Sequence, residues 1–286
     1  MNVLYESGDC LVSYEVRGTG PDVLFMHGLA ADRHQAERCL DALRGFRVIT
    51  LDLPGHGSSR LHSGRAAVEQ VGFRQYAETT AALLRDLGVT TVYAGGISMG
   101  AAVALSLAIG SPELVGGLLL IRPAWVNAPA RPHLDLLADI GEWIADEGVA
   151  TARRRLVDDP RFAAIERDAP MCATGLVETT DRPHVAAAPM MLPTMVDDRP
   201  YRSDSDLGPC TMPTLVVSGE HDPLHPRWVA DDLEALLPDA TAHIAPPRYL
   251  QPERHQRAVA DVIRSFLDRC AANATNRTHA TTEGPT

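Results

Sequence analysis

The sequence contains no lysine: all 26 basic residues among its 286 are arginine. That excludes a Schiff-base or nucleophilic lysine, and also a Walker A phosphate loop, which needs one. Asparagine is scarce too, with four copies, a bias that points to a GC-rich genome rather than to a function. Cysteine is sparse and scattered: Cys10, Cys39, Cys172, Cys210 and Cys270 are odd in number, lie far apart and form no CxxC pair. Neither a disulfide framework nor a zinc site is expected, and reduced thiols in a cytoplasm fit better. No apolar run reaches about 18 residues, so no membrane span is expected. Met1–Gly8 carries Glu6 and no basic, apolar leader, so no signal peptide is expected either. Positive charge is in deficit. The net charge of −11 offers no field to attract phosphates, which argues against a nucleic-acid partner.

What is present suffices for a folded core. At 45% hydrophobic residues the chain is ordinary for a globular protein, and its length allows one large domain, alone or carrying an insertion. Val3–Tyr5 and Leu11–Arg17 read as an antiparallel pair turning at Gly8 and Asp9. Short apolar runs at Val23–Met26, Arg47–Leu51, Thr91–Ala94 and Gly116–Ile121 read as buried strands. Helical patterns separate them, at 34–43, Val68–Leu87 and Met99–Ile109. This alternation predicts an α/β fold with a mostly parallel sheet, begun by a core segment over 1–123. It breaks over 124–206, where helical pieces and prolines suggest an insertion lying over the strand ends. It resumes over 207–270 with a strand at Thr214–Ser218, a helix at Arg227–Leu237, a strand at Ala240–Ala245 and a helix at Glu253–Cys270. The polar stretch 271–286 has no periodicity and is expected to be a disordered tail.

The central motif is Gly96-Ile97-Ser98-Met99-Gly100, with the strand residues Thr91-Val92-Tyr93 before it and the small-residue helix Ala101–Leu105 after it. A serine on so sharp a strand-to-helix turn needs glycines on both sides, because a Cβ would clash. The turn lifts the hydroxyl to the sheet's edge beside a helix N-terminus, where backbone N–H groups favour developing negative charge.

The order His27-Gly28, then Asp52-Leu53-Pro54-Gly55-His56-Gly57, then Gly96–Gly100, then an acid after a later strand resembles the α/β-hydrolase fold over residues 3–270. The resemblance implies a mostly parallel central sheet with flanking helices, with 124–206 as a helical cap. It implies Ser98 as nucleophile, the N–H groups of Leu29 and Met99 as an oxyanion hole, and Asp222 as the acid that orients an imidazole. Asp222-Pro223 is also an ordinary turn pair, and Asp222 as a mere cap stays open. His27 and His56 read as loop supports.

The base departs from the family pattern. The slot where relatives carry histidine falls near Tyr249, in Pro246-Pro247-Arg248-Tyr249-Leu250, and no histidine occurs from 244 to 254. Tyrosine is neutral at pH 7 and a poor proton acceptor. His255 is the first substitute, because its spacing to Val259, Val262 and Phe266 puts it on the inward face of the last helix. His225 is the second. Trp125, Trp143, Met190, Met191 and Met195 either line a hydrophobic substrate pocket or form the insertion's own core.

The resulting expectation is a serine hydrolase acting through Ser98, Asp222 and His255 on an ester, thioester or lactone of a small hydrophobic molecule. No metal or cofactor is implied. Two alternatives stay open: a non-hydrolytic enzyme on the same scaffold, running elimination, cyclisation or acyl transfer, and a binding protein without catalysis.

Overall fold

The structure, a computed structural model, describes residues 3–7, 10–61, 70–130 and 132–282, with side chains through residue 274. The expected turn at Gly8 and Asp9 lies outside the described residues. Strands β1 (Val3–Ser7) and β2 (Cys10–Arg17) pair antiparallel, with Val3 opposite Tyr14. They are followed by β3 (Asp22–Met26), β4 (Arg47–Leu51), the two-residue β5 (Arg60–Leu61), β6 (Val92–Ile97), β7 (Val115–Ile121), β8 (Thr214–Gly219) and β9 (Ala240–Ala245). The sheet order is β1-β2-β4-β3-β6-β7-β8-β9, with β5 on β2. From β4 to β9 every neighbouring pair on this path is parallel, as the alternation of strand and helix requires.

Side-chain period two explains how these short runs become central strands. Leu24 and Met26 of β3 join one apolar cluster, and Val23 and Phe25 join a second on the opposite face. β7 divides likewise, Leu118 and Leu120 to one side, Leu119 and Ile121 to the other. Helices α2 (Phe73–Asp86) and α3 (Met99–Gly110) cover the first face; α1 (Arg33–Cys39) and the last helix cover the second. A sheet buried on both sides needs continuous apolar strands, which is what the sequence shows.

Residues 123–213 contain no strand among those described. They carry the helices α4 (Asp135–Glu147), α5 (Val149–Asp158), α6 (Pro160–Asp168), α7 (Pro170–Thr180), α8 (Pro183–Ala187) and α9 (Met191–Asp197). Leu136, Ile140, Leu156, Leu176 and Met195 of these helices join the first apolar cluster. Trp125 is fully buried, packs edge-on against Phe73 at 5.2 Å and donates its indole N–H to the Met195 carbonyl at 3.1 Å. Trp125, Met191 and Met195 are therefore core, while Trp143 stacks beneath the Arg155 guanidinium and Met190 is exposed.

After α10 (Arg227–Leu236), the last helix, α11, spans Pro252–Thr282. The expectation of a disordered tail from 271 is corrected here. Alanines at 271, 272 and 274 favour helix, and Ala271 packs against the second cluster, so the helix continues past Cys270. No described helix is long and apolar enough to cross a membrane.

Candidate active site

Ser98 stands between β6 and α3 with φ 55° and ψ −111°, the left-handed region that costs a non-glycine residue about 1–3 kcal/mol. The glycines around it are steric necessities. A Cβ on Gly96 would lie 2.6 Å from the Met26 carbonyl oxygen, and one on Gly100 2.4 Å from the same oxygen. The Ser98 N–H donates to the Ile121 carbonyl at 2.9 Å, tying the turn to β7. Because α3 begins at Met99, the first N–H groups of that helix have no acceptor inside it.

The loop after β3 is held by His27. The Leu53 backbone N–H donates to His27 Nε2 at 3.0 Å, so that nitrogen carries no proton. Nδ1 is then the N–H and donates to the Gly28 carbonyl at 2.8 Å. Both ring nitrogens are engaged, and complete burial pushes the imidazole below its usual pKa, so His27 supports the loop as a neutral ring. The His56 ring packs against it, tilted, with ring centres 4.9 Å apart, and is also held neutral by burial. Gln35 Oε1 accepts from the Gly28 N–H at 2.8 Å, and His184 of α8 donates from Nε2 to the Ala30 carbonyl at 3.2 Å. Leu29 is thus fixed between two braced residues on the wall facing Ser98.

On the far side of Ser98 lies a buried charge cluster. Ile97 pairs with Ile121, and Ile121 with Val217, so Ser98, Arg122 and the residues after β8 emerge side by side at the carboxyl edge of the sheet. Arg122 Nε donates to Asp222 Oδ2 at 2.7 Å, and Nη2 donates to the Tyr249 hydroxyl at 2.9 Å. Asp222 Oδ1 lies 2.9 Å from His225 Nδ1 and accepts from the Leu224 N–H at 3.2 Å. Arg122 Nη2 lies 2.9 Å from the same His225 nitrogen. Two ring tautomers therefore compete: Asp222 favours a proton on Nδ1, leaving Nε2 basic, whereas Arg122 favours a bare Nδ1. Burial and the Arg122 charge pull His225 down to about 4, and Arg122 and His225 together hold Asp222 ionised against its own burial. Burial keeps the Tyr249 phenol protonated.

His255 faces inward, as its helical spacing predicts, and is buried. Its Nδ1 donates to the Pro246 carbonyl at 2.8 Å. The carboxylate of Asp222 meets His225 and Arg122 instead. His225, the second candidate by sequence, is therefore the histidine in contact with the acid, and Arg122 is a site residue that sequence reasoning passed over. Its signal was a charged residue directly ending an apolar strand, beside the strand that ends at the acid. Among the described residues the Ser98 hydroxyl has no hydrogen-bond partner. Ser98, His225, Tyr249 and His255 all line one cavity of about 550 Å³, roofed by Leu134, Leu137 and other residues of the helical segment. That volume suits a small molecule. All five cysteines are free.

Comparison with known proteins places the chain. It is 28% identical over 245 residues to the magnesium-chelatase 30 kDa subunit of Rhodobacter capsulatus, covering 78% of each chain. It is 28% identical over 264 residues to the pimeloyl-[acyl-carrier protein] methyl ester esterase of Aeromonas hydrophila, covering 90% of this chain and 99% of that one. A thermophilic esterase from Thermogutta terrifontis superposes with a TM-score of 0.71 at 24% identity, over 95% of this chain and 99% of that one. The sequence model described as alpha/beta hydrolase fold matches residues 21–248, and with the sheet order and the serine turn this establishes that the chain belongs to the alpha/beta hydrolase fold family.

Proposed function

We propose that the protein is a serine hydrolase that cleaves an ester, thioester or lactone of a small, partly hydrophobic molecule through an acyl-enzyme on Ser98. The carrying observation is the 2.9 Å contact between Asp222 Oδ1 and His225 Nδ1 on the wall of the cavity that also holds the strained Ser98. In the tautomer that Asp222 favours, His225 Nε2 is the base. It takes the Ser98 proton as Oγ adds to the carbonyl carbon, and gives it to the departing alcohol or thiol. The N–H groups of Met99 and Leu29 hold the oxyanion. Water then hydrolyses the acyl group, His225 again moving the proton. Esterases among the relatives agree with this reading.

His255 remains the alternative base, since its Nδ1 is anchored and its Nε2 is left bare in the neutral ring. A second reading, non-hydrolytic chemistry or ligand binding in the same cleft, draws on Arg122, which engages the carboxylate that would otherwise serve the imidazole alone. One experiment separates these. Intact mass after exposure to a fluorophosphonate should reveal one adduct on the wild type, none on Ser98→Ala and little on His225→Ala. Loss of labelling in His255→Ala with retention in His225→Ala would transfer the base role to His255. A folded wild type that resists both this probe and a smaller sulfonyl fluoride would overturn the hydrolase reading.

A further inference from the structure

Arg248 directly precedes Tyr249 and lines the cavity beside Ser98. Its guanidinium carbon lies 5.9 Å from the Tyr249 ring centre. Among the described residues it has neither a hydrogen bond nor an ion pair. Its neighbour Arg122 is already neutralised by Asp222, but Arg248 is not. The side chain is half-buried, and its charge is disfavoured first by the Arg122 guanidinium and then by burial. A surface arginine would escape such a position into water. This one stands inside a cleft whose other charged lining residues are Arg38, Arg122, Arg182 and one acid, Glu178. Setting aside Arg122, paired with Asp222, and Arg182, which faces Asp32 at 4.0 Å, Arg38 and Arg248 still outnumber Glu178 along the lining, in a chain of net charge −11.

An unpaired guanidinium presents two parallel N–H donors matched to a planar carboxylate, and a partly dehydrated site strengthens that pairing. We propose that Arg248 binds a carboxylate carried by the substrate, so that the cavity takes an acid-bearing ester, its chain lying against Leu134 and Leu137 and its anionic end on Arg248. This substrate class deepens, and rests on, the reading of the cavity as a serine hydrolase site.

The test measures binding apart from turnover. In the Ser98→Ala protein, calorimetry compares the monomethyl and dimethyl esters of four-, six- and eight-carbon dicarboxylic acids. At the best chain length the monomethyl ester should bind at least tenfold more tightly than its neutral dimethyl partner. Arg248→Gln should erase that ratio, and Arg248→Lys, which keeps the charge but loses the fork, should leave an intermediate ratio. If Arg248→Gln does not fold by circular dichroism, a threefold or larger fall in the ratio for Arg248→Lys carries the same conclusion. No preference for the monoester at any length, or a preference that survives both variants, overturns the proposal. A carboxylate preference in a protein whose wild type hydrolyses none of these esters and resists the serine probes would uphold the subsite and remove the hydrolase reading.

Discussion

Arg122 and Asp222 form an ion pair almost wholly removed from water, with side chains 4% and 1% exposed and Nε to Oδ2 at 2.7 Å. The pair joins the ends of β7 and β8, and it leaves His225 between a cation and an anion. Its two halves are 100 residues apart, so only the sheet register brings them together.

Removing one partner strands the other. Arg122→Met should lower stability by about 3–5 kcal/mol, the usual penalty for an uncompensated buried charge. The double variant Arg122→Met/Asp222→Leu should recover much of that loss, because no charge is then left behind. Chemical denaturation midpoints of the four proteins in the cycle measure the coupling. If the single and double variants are equally unstable, the pair does not act as a unit.

His225 gives stability a pH signature. Its folded pKa of about 4 lies below the ordinary 6.5, so the unfolded chain binds the extra proton first as pH falls. Stability is therefore intact above 6.5 and declines as pH falls toward 4, by roughly 3 kcal/mol from this ring. Asp222, held low by Arg122 and His225, stabilises the fold above the ordinary carboxylate pKa, and its share is lost only below about 4. His27, His56, His184 and His255 are also shifted down and act with the same sign. The comparison is thus between wild type and His225→Asn: melting temperature against pH should slope less in the variant between 6.5 and 4, and match in slope above 7. The acid limb of kcat/KM for ester hydrolysis should fall near pH 4 in the wild type. An acid limb at 6.5 would separate the base from His225.

These residues also mark where sequence reading succeeds and where it stops. Arg47–Leu51 and Ala240–Ala245 have the bounds expected of them; an apolar run fixes the first locally as a buried strand, while the second is a half-exposed strand at the sheet edge. The serine turn is equally visible, because its glycines answer clashes within a few residues of one another or with β3. Periodicity correctly turned His255 inward, yet it reports a face and not a neighbour. His225 meets Asp222 within the turn after β8, three residues away, whereas the meeting of Arg122 with Asp222, and the turning of His255 to the Pro246 carbonyl instead, depend on the packing of β7, β8 and the segment after β9. The tail misled for a related reason: polar composition alone does not separate an extended helix from a coil.

The strain at Ser98 predicts opposite outcomes for neighbouring positions. Ser98→Gly releases a φ of 55° but adds freedom to the unfolded chain, for a net gain of about 1 kcal/mol. Melting temperature should rise by roughly 2–4 °C while probe labelling disappears. Gly100→Ala should do the reverse, because its Cβ would lie 2.4 Å from the Met26 oxygen and 2.8 Å from the His27 oxygen, backbone atoms at the end of β3 and the start of the loop after it. A loss of about 1–3 kcal/mol or more is expected. Equal melting temperatures for the two variants would contradict the strained geometry.

His184 links the helical segment to the loop that carries Leu29. Its Nε2–H donates to the Ala30 carbonyl at 3.2 Å, and Ala30 itself sits at a φ of 60°. The nearby Arg182–Asp32 pair is longer, at 4.0 Å, and partly exposed, so it contributes less. If the Leu29 N–H holds an oxyanion, loosening this tie should weaken the transition state more than the bound ester. His184→Ala should then lower kcat about fivefold, the equivalent of one ordinary hydrogen bond near 1 kcal/mol. KM should change less than twofold, because the ester contacts in the cavity remain. His184→Gln keeps an N–H donor for the same carbonyl and should restore most of the rate. A fall in kcat that glutamine does not rescue would assign His184 to the packing against His56, whose ring centre is 5.6 Å away, rather than to the loop.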